Sequence, residues 1–207
     1  MNDASIALFP HVMKQHFNQL LRDLANDFYI EEVAFGNKNP RVSIRLNNLA
    51  QLLQDTNRMK EAEPLMRQAL AIDEAAFGDE HPRVAIGLNN LAQLLKDTNR
   101  IKEAEPLMRQ ALAIDEAAFG EEHPRVANCL NNLATLLQDT NRMQEAEPLM
   151  RQALKTLQGF QENTGYLHPN FLAAYDNFRG LLAELNHSES EIDAALAPFA
   201  EGPKKPN

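Results

Sequence analysis

The chain of 207 residues has one cysteine, no tryptophan, few glycines and no long apolar run. A single thiol cannot close a disulfide within the chain, so a secreted domain held together by disulfides is excluded. No segment approaches the ~20 apolar residues of a membrane-spanning helix. The first ten residues also lack the basic start and apolar core of a signal peptide. We therefore expect a cytoplasmic protein with no membrane partner.

The charge balance is acidic, because 20 Lys and Arg residues oppose 29 Asp and Glu residues and give a net charge of −9. Sequence-independent binding to nucleic acid needs Lys and Arg to replace the counterions at phosphates, so no nucleic-acid partner is expected. Hydrophobic residues make up 44% of the chain, which is enough to supply a buried core.

A repeat with a period of 42 residues dominates the sequence. Residues 40–81 and 82–123 are identical at 37 of 42 positions. They differ only at Ser43/Ala85, Arg45/Gly87, Gln54/Lys96, Met59/Ile101 and Asp79/Glu121. A third copy begins at Pro124, keeps most of the same text to Leu154 and then diverges, with three extra residues before Pro169. A period between ~20 and 50 residues is typical of solenoid proteins.

Each period contains two amphipathic helical patterns. In the second copy, an apolar stripe with helical spacing predicts a first helix of about 15 residues. Its members are Val84, Leu88, Leu91, Ala92 and Leu95. A second, broader stripe lies between Ile101 and Phe119, and the chain has no strand pattern. Each period therefore predicts one helical hairpin, and the whole chain an all-α fold.

The residues between the two stripes predict where the helices begin and end. His81 is expected to cap the first helix, because Pro82 at the first helical position has no N–H to lose. Thr98 or Asn99 is expected to cap the second helix. Gly120 is expected to end the second helix with a left-handed backbone.

Three motifs recur in register along the chain. They are Leu-Asn-Asn-Leu-Ala at 46–50, 88–92 and 130–134, Glu-Ala-Glu-Pro-Leu-Met at 61–66, 103–108 and 145–150, and Phe-Gly-x-x-His-Pro at 77–82 and 119–124. With these motifs, residues 17–185 resemble the tetratricopeptide repeat (TPR) family in its 42-residue version, which is found in kinesin light chain and its bacterial relatives. The resemblance implies an all-α, right-handed αα-superhelix, a TPR-like solenoid of antiparallel helix pairs.

The repeat boundaries predict six segments. They are an N-terminal capping half-repeat (1–39), three TPR repeats (40–81, 82–123 and 124–168), a degenerate C-terminal capping repeat (169–200) and a disordered tail (201–207). In the capping repeat, residues 169–185 are expected to form a fourth first helix, and Ser188 and Glu191 a capping box that opens a short last helix. The half-repeat start leaves two alternatives open: a chain cut from a longer one, or a first helix that is extended and caps itself.

The resemblance implies that the first helices line a concave groove. The polar residues that it places on or beside this groove are Asn47, Asn48, Gln51, Asn89, Asn90, Gln93, Lys96, Asn131, Asn132 and Thr135. Asparagine amides donate to and accept from a peptide backbone, and in this family Asn48, Asn90 and Asn132 lie where peptides are held. Ile44 and Ile86 offer shallow apolar contacts. Alternatively, one Asn of each pair bridges neighbouring helices and the other is solvated.

Histidine and cysteine do not predict a reactive centre. His81, His123 and His168 occupy equivalent loop positions, which places them one repeat step apart, on the order of 10 Å. Metal bonds of about 2 Å cannot span that distance, so no metal site is expected. Cys129 has no neighbouring base that would make it a nucleophile.

The acidic pairs of the second helices predict a solvated charged face. These pairs are Asp73–Glu74 and Asp115–Glu116. The sequence has no phosphate-binding loop, nucleophile elbow or zinc signature. We therefore expect neither enzymatic activity nor a cofactor.

The leading hypothesis is a non-catalytic protein–protein interaction scaffold that binds a peptide segment of a partner in the groove. One alternative is a self-assembling module, a homo-oligomer through its N-terminal end, because near-identical repeats can stack and the half-repeat start leaves an apolar face to cover. The other alternative, taken from bacterial relatives with such arrays, is the sensor arm of a larger signalling ATPase.

Overall fold

The computed structural model describes residues 39–200, of which Ala200 is described by its backbone alone. Its helices are α1 (Pro40–Asp55), α2 (Met59–Phe77), α3 (Pro82–Asp97), α4 (Ile101–Phe119), α5 (Pro124–Asp139), α6 (Met143–Thr164), α7 (Phe171–Glu184) and α8 (Glu189–Ala200). Residues 39–200 contain no strand. In the same range no helix combines the length and the apolar character that crossing a bilayer requires. The predicted capping half-repeat up to residue 38 and the predicted tail lie outside the described residues.

The chain divides into two compact units, residues 1–94 and 95–207. In the first unit, α1 and α2 form a hairpin whose core contains Val42, Leu46, Ala69 and Ile72, with Leu65 packed against it. The start of α1 thus meets the end of α2, as it must in an antiparallel pair. The hairpin predicted from the apolar stripes is therefore present.

Gly87 explains how closely α3 packs on the hairpin of the first unit. A Cβ atom at this position would lie 3.1 Å from the Cδ1 atom of Leu70 on α2. Such a contact is tighter than ordinary van der Waals packing, so the missing side chain lets the two helices approach each other.

In the second unit, consecutive helices from α4 to α8 pack in series. The hairpin of α5 and α6 has fully buried leucines and a methionine on its inner faces, including Leu133, Leu137, Met150 and Leu154. Burying a side chain of this size stabilises a fold by about 1.5–3 kcal/mol before the entropy of ordering is counted. This apolar packing holds the series of helices together.

The predicted capping of the first helices by histidine is confirmed. The Nδ1 atoms of His81 and His123 accept a hydrogen bond from the backbone N–H two residues on, at 3.1 and 3.2 Å. Asn39 caps α1 in the same way through its side-chain oxygen, at 2.9 Å. The proline that follows each cap fills the first helical position.

The predicted capping of the second helices by threonine or asparagine is wrong. The hydroxyl of Thr98 donates to the carbonyl of Leu95 at 3.1 Å and so satisfies the end of the preceding helix. Asn99 has a φ of 61°, a left-handed turn conformation that asparagine tolerates. Arg100 takes the cap position without a side-chain cap bond, and its guanidinium pairs with Glu103 at 2.6 Å.

The glycines that end the second helices only partly follow the prediction. Gly78 and Gly120 have positive φ values of 84° and 82°, but their ψ values of 158° and 160° are extended. Gly165, which ends α6, has φ 75° and ψ 1° and is left-handed as expected. All three positions use a backbone region that favours glycine.

The C-terminal helices differ little from the prediction. The fourth first helix, α7, runs from Phe171 to Glu184, two residues later at its start than expected and one residue shorter at its end. The capping box is confirmed, because the backbone N–H of Ser188 donates to Glu191 at 2.7 Å and the N–H of Glu191 donates to the Ser188 hydroxyl at 3.4 Å.

Candidate functional site

A surface stripe of the same three residue types, Ile, Asn and Gln, lies on each first helix of the first unit. On α1 it consists of Ile44, Asn48 and Gln51, all exposed. On α3 it consists of Ile86, Asn90 and Gln93, of which the isoleucine is exposed and the two amides are half-buried. The spacing of four and three residues places each set on one face of its helix. Large apolar side chains that stand 44% and 45% exposed, as Ile44 and Ile86 do, are available for contact.

The second asparagine of each pair in the first unit is the more available one. Within residues 39–200, the amides of Asn48 and Asn90 have no hydrogen-bond partner. The amide of Gln51 donates to the Asp55 carboxylate at 3.0 Å. Asn47 is half-buried, and its buried side-chain oxygen has no partner among the described residues. Asn89, the first asparagine on α3, is also half-buried.

In the second unit, the side chains of several candidate residues already form hydrogen bonds or ion pairs within the unit. The side-chain oxygen of Asn131 accepts from the amide of Asn177 on α7 at 3.2 Å, which is the bridging role stated as the alternative. The hydroxyl of Thr135 donates to the Asn131 carbonyl at 2.8 Å. The ammonium group of Lys96 lies 3.0 Å from the Asp139 carboxylate.

Asn177 was missed by the sequence analysis. The three-residue insertion before Pro169 shifts the register, and once it is allowed for, Asn177 matches Asn132 and continues the row of second asparagines. Its side chain is half-buried, as is that of Asn132. A comparison that allowed for the insertion would have found it.

The candidate residues thus fall into two sets, one in each unit. The first unit contains Asn47, Asn48, Gln51, Asn89, Asn90 and Gln93, and the second contains Lys96, Asn131, Asn132 and Thr135. The first set lies on the exposed or half-buried surface of α1 and α3. The second set contributes at least three polar groups to contacts within its own unit.

The expectation that the acidic pairs are solvated is wrong for both aspartates. Asp73 and Asp115 are each only 3% exposed. The guanidinium of Arg125 pairs with Asp115 at 2.9 Å, and the thiol of Cys129 donates to the same carboxylate at 3.6 Å. The half-buried Glu116 has a raised pKa, because burial disfavours its charge and the nearby carboxylate of Glu121 adds to the effect. These aspartates join helices together and do not face water.

The first unit repeats this arrangement with one change. Asp73 accepts a hydrogen bond from the Ser43 hydroxyl, and the guanidinium of Arg83 lies 3.5 Å from it. The same guanidinium stands 5.0 Å from the Phe77 ring centroid, while the His81 ring stacks on that ring at 4.6 Å. A cation over an aromatic face contributes about 0.5–1 kcal/mol at an exposed site. The cluster therefore fixes the loop that leads into α3.

Cys129 is buried, and burial together with the Asp115 carboxylate raises the pKa of its thiol to about 12. A thiol in this state has almost no thiolate at neutral pH. Within residues 39–200, no three His, Cys, Asp or Glu side chains are grouped so that they could hold a metal ion.

Paired helices, a repeated buried Asp–Arg contact and an exposed polar stripe define an α-helical repeat protein. The sequence model of the tetratricopeptide repeat matches residues 41–117 and 100–159, which together exceed half of the chain. The chain belongs to the tetratricopeptide repeat family. Membership in this family supports a role as a protein–protein interaction scaffold.

Solved structures with the same fold include kinesin light chain-type proteins. The TPR-like repeats of one such protein from Podospora anserina align with a TM-score of 0.69 at 23% identity, over 90% of this chain and 87% of that chain. BtubC (BKLC) from P. vanneervenii aligns with a TM-score of 0.68 at 22% identity, over 95% and 85%. The predicted TPR-like solenoid fold of kinesin light chain type is confirmed by these matches.

YrrB is a third solved structure with this fold, described as a TPR protein with an unusual peptide-binding site. It aligns with a TM-score of 0.53 at 19% identity, over 84% of this chain and 74% of that chain. No curated protein matches the chain at a significant level.

Proposed function

We propose that this protein is a non-catalytic cytoplasmic scaffold that binds an extended peptide segment of a partner along the stripe of its first helices. The observation that carries the proposal is the state of Asn48 and Asn90, whose amides have no hydrogen-bond partner within residues 39–200. Each follows an exposed isoleucine by one helical turn. The peptide-binding site of YrrB, a protein of the same fold, adds support.

The chemistry of the stripe suits a peptide backbone. An extended backbone offers one donor and one acceptor per residue, and a primary amide supplies both. Ile44 and Ile86 add apolar area beside the amides. Because α1 and α3 repeat the same text, the stripe favours peptide main chain over one particular side-chain sequence.

The second unit has candidate peptide-binding residues of its own. Asn132 on α5 is the sequence equivalent of Asn48 and Asn90. Asn131, Thr135 and Lys96 are already engaged in contacts within the second unit, so a peptide would have to share or replace those contacts. We therefore expect them to contribute less binding free energy.

A phage-displayed library of random peptides tests the proposal. Peptides selected on the full chain are measured again on a variant with Asn48→Ala and Asn90→Ala. Loss of one neutral hydrogen bond costs about 1 kcal/mol, so two lost bonds should weaken binding roughly 30-fold. Circular dichroism of both proteins checks that the helices are retained.

A matched control is available on the second helices. Gln68 and Gln110 are exposed amides one period apart on α2 and α4. A variant with Gln68→Ala and Gln110→Ala should bind the selected peptides as the unaltered chain does. Equal affinity for the asparagine variant and the unaltered chain would overturn the proposal, and so would a selection that yields no peptide.

A further inference from the structure

A cleft of about 490 Å³ opens in the second unit, between the loop that precedes α5 and the C-terminal half of α6. Glu121 and Glu122 line it from the loop, and Lys155, Gly159, Phe160 and Glu162 line it from α6. The candidate residues of the first-helix stripe do not line this cleft. It is therefore a separate surface with its own chemistry.

The α6 wall of the cleft is made of residues that depart from the repeat. The positions that hold Lys155, Gly159, Phe160 and Glu162 in the third copy hold Ala113, Ala117, Ala118 and Gly120 in the second. In addition, α6 has 22 residues, whereas α2 and α4 have 19. The C-terminal half of α6 therefore gives the third copy a surface that the first two copies lack.

The cleft is negatively charged and has an aromatic wall. Glu121, Glu122 and Glu162 are exposed, and none of them forms an ion pair within residues 39–200. Lys155 is the one cation among the residues that line the cleft, so the carboxylates outnumber it. Phe160 is half-buried, and its ring meets that of His168 edge-on at a centroid distance of 5.3 Å, which holds it in place.

We propose that this cleft binds an arginine side chain of a partner protein. A guanidinium group is planar, pairs with carboxylates through two parallel hydrogen bonds and stacks on aromatic rings. Carboxylates on both walls and one aromatic ring match each of these properties. An ammonium group has no plane to stack, and an acidic side chain would be repelled.

The α6 wall of the cleft is open at Gly159. A Cβ atom built on Gly159 would meet no other atom within 4 Å. The equivalent positions in the first two copies are Ala75 and Ala117, so glycine at this point removes a side chain that the repeat otherwise has. A large side chain at this position should therefore narrow the cleft without removing a charge.

The proposal is tested by NMR titration of the full chain with the peptide acetyl-Gly-Gly-Arg-Gly-Gly-amide. A second peptide has citrulline, which has the shape of arginine without its charge. We expect the arginine peptide to shift the backbone amide signals of Gly159 and Phe160, with an affinity about tenfold above that of the citrulline peptide. Equal affinity for both peptides would overturn the proposal, as would shifts confined to other residues.

Two charge variants separate the cleft from the general acidity of the chain. Glu121→Gln with Glu122→Gln should weaken binding of the arginine peptide roughly tenfold. Asp79→Asn with Glu80→Gln removes the same charge from the equivalent loop of the first copy. This control should bind as the unaltered chain does, and an equal loss in both variants would show attraction by net charge alone and refute the cleft.

Gly159→Leu puts a large side chain on the α6 wall of the cleft, and Ala117→Leu is its match at the exposed equivalent position of α4. Leucine forms helices better than glycine, so α6 should remain folded, which thermal melting checks. We expect Gly159→Leu to abolish the arginine-dependent shifts and Ala117→Leu to leave them. Undiminished binding in Gly159→Leu would contradict the proposal. The Asn48→Ala, Asn90→Ala variant should keep this site, so the two proposals fail independently.

Discussion

Replacing Arg125 by asparagine is the sharpest test of how the buried aspartates hold the repeats together. The Asp115 carboxylate is 3% exposed and pairs with Arg125 at 2.9 Å, while the arginine side chain itself is 31% exposed. Arg125→Asn therefore leaves a charge in the interior without its partner. The chain offers an internal comparison, because one repeat further on the equivalent positions hold Leu157 in the third copy and Asn170 in the capping repeat.

The expected loss follows from the burial of the two partners. Removing one partner of a buried ion pair costs about 3–5 kcal/mol. Because Arg125 is partly exposed, water can reach the place that its side chain leaves. We therefore expect Arg125→Asn to cost about 3 kcal/mol, the lower end of this range. Asp115→Leu alone leaves a cation that water can still solvate, so it should cost about 1 kcal/mol. The double variant, Asp115→Leu with Arg125→Asn, has no buried charge at this site. Its free energy of unfolding should therefore lie within about 1 kcal/mol of that of the unaltered chain.

Urea unfolding followed by far-ultraviolet circular dichroism measures these free energies. Urea is preferred because guanidinium chloride would screen the ion pair. Arg83→Asn is the matched control one repeat earlier, where the Ser43 hydroxyl still donates to Asp73, and it should cost less than Arg125→Asn. The reasoning is refuted if Arg125→Asn costs under about 1 kcal/mol or if the double variant loses the sum of the two single losses.

Three further predictions concern single positions. Gly180→Ala should stabilise α7 by about 0.5–1 kcal/mol in thermal melts, because a Cβ there meets nothing within 4 Å; a lower melting temperature would contradict this. Burial lowers the pKa of His168, so the unfolded chain takes up the proton more readily and stability should fall as the pH drops below about 6.5. The side-chain oxygen of asparagine at this position can accept from the backbone N–H of Asn170, as the Nδ1 atom of His168 does at 3.2 Å, so His168→Asn should reduce this loss in urea titrations at pH 7 and 5; an unchanged loss would show that His168 does not cause it. Cys129, whose thiol pKa is raised to about 12, should react with a disulfide reagent at least about 100-fold more slowly in the native chain than in urea, and equal rates would disprove its burial.

The helices were predictable because their pattern is repeated. The apolar stripe predicts a first helix of about 15 residues, and the helix has 16. The turn between helices was assigned wrongly because Thr98 and Asn99 can satisfy either the end of one helix or the start of the next. Local spacing does not tell these two uses apart, whereas the hydrogen bond to Leu95 does.

The burial of Asp115 was not predictable from its own helix. Its carboxylate stands beside Glu116 in a segment rich in charge, which is typical of a solvated face. The partners that bury it lie elsewhere in the chain, since Arg125 is ten residues away across a loop and Cys129 is fourteen away on the next helix. Only the packing of α4 against α5 brings these groups together.

The cleft shows how the changes in the third copy depend on one another. Glu162 replaces the glycine that ends α4, so α6 no longer stops at this position and continues to Thr164, where Gly165 ends it. The added turn carries Glu162 to the cleft wall. Leu157 and Asn170 stand at the positions equivalent to Asp115 and Arg125, so both members of the Asp–Arg pair are replaced. Loss of the arginine alone would have left a buried carboxylate without its partner. The divergence in the C-terminal half of α6 therefore removes the equivalent of the Asp115–Arg125 pair and adds Lys155, Phe160 and Glu162 to the wall of the cleft.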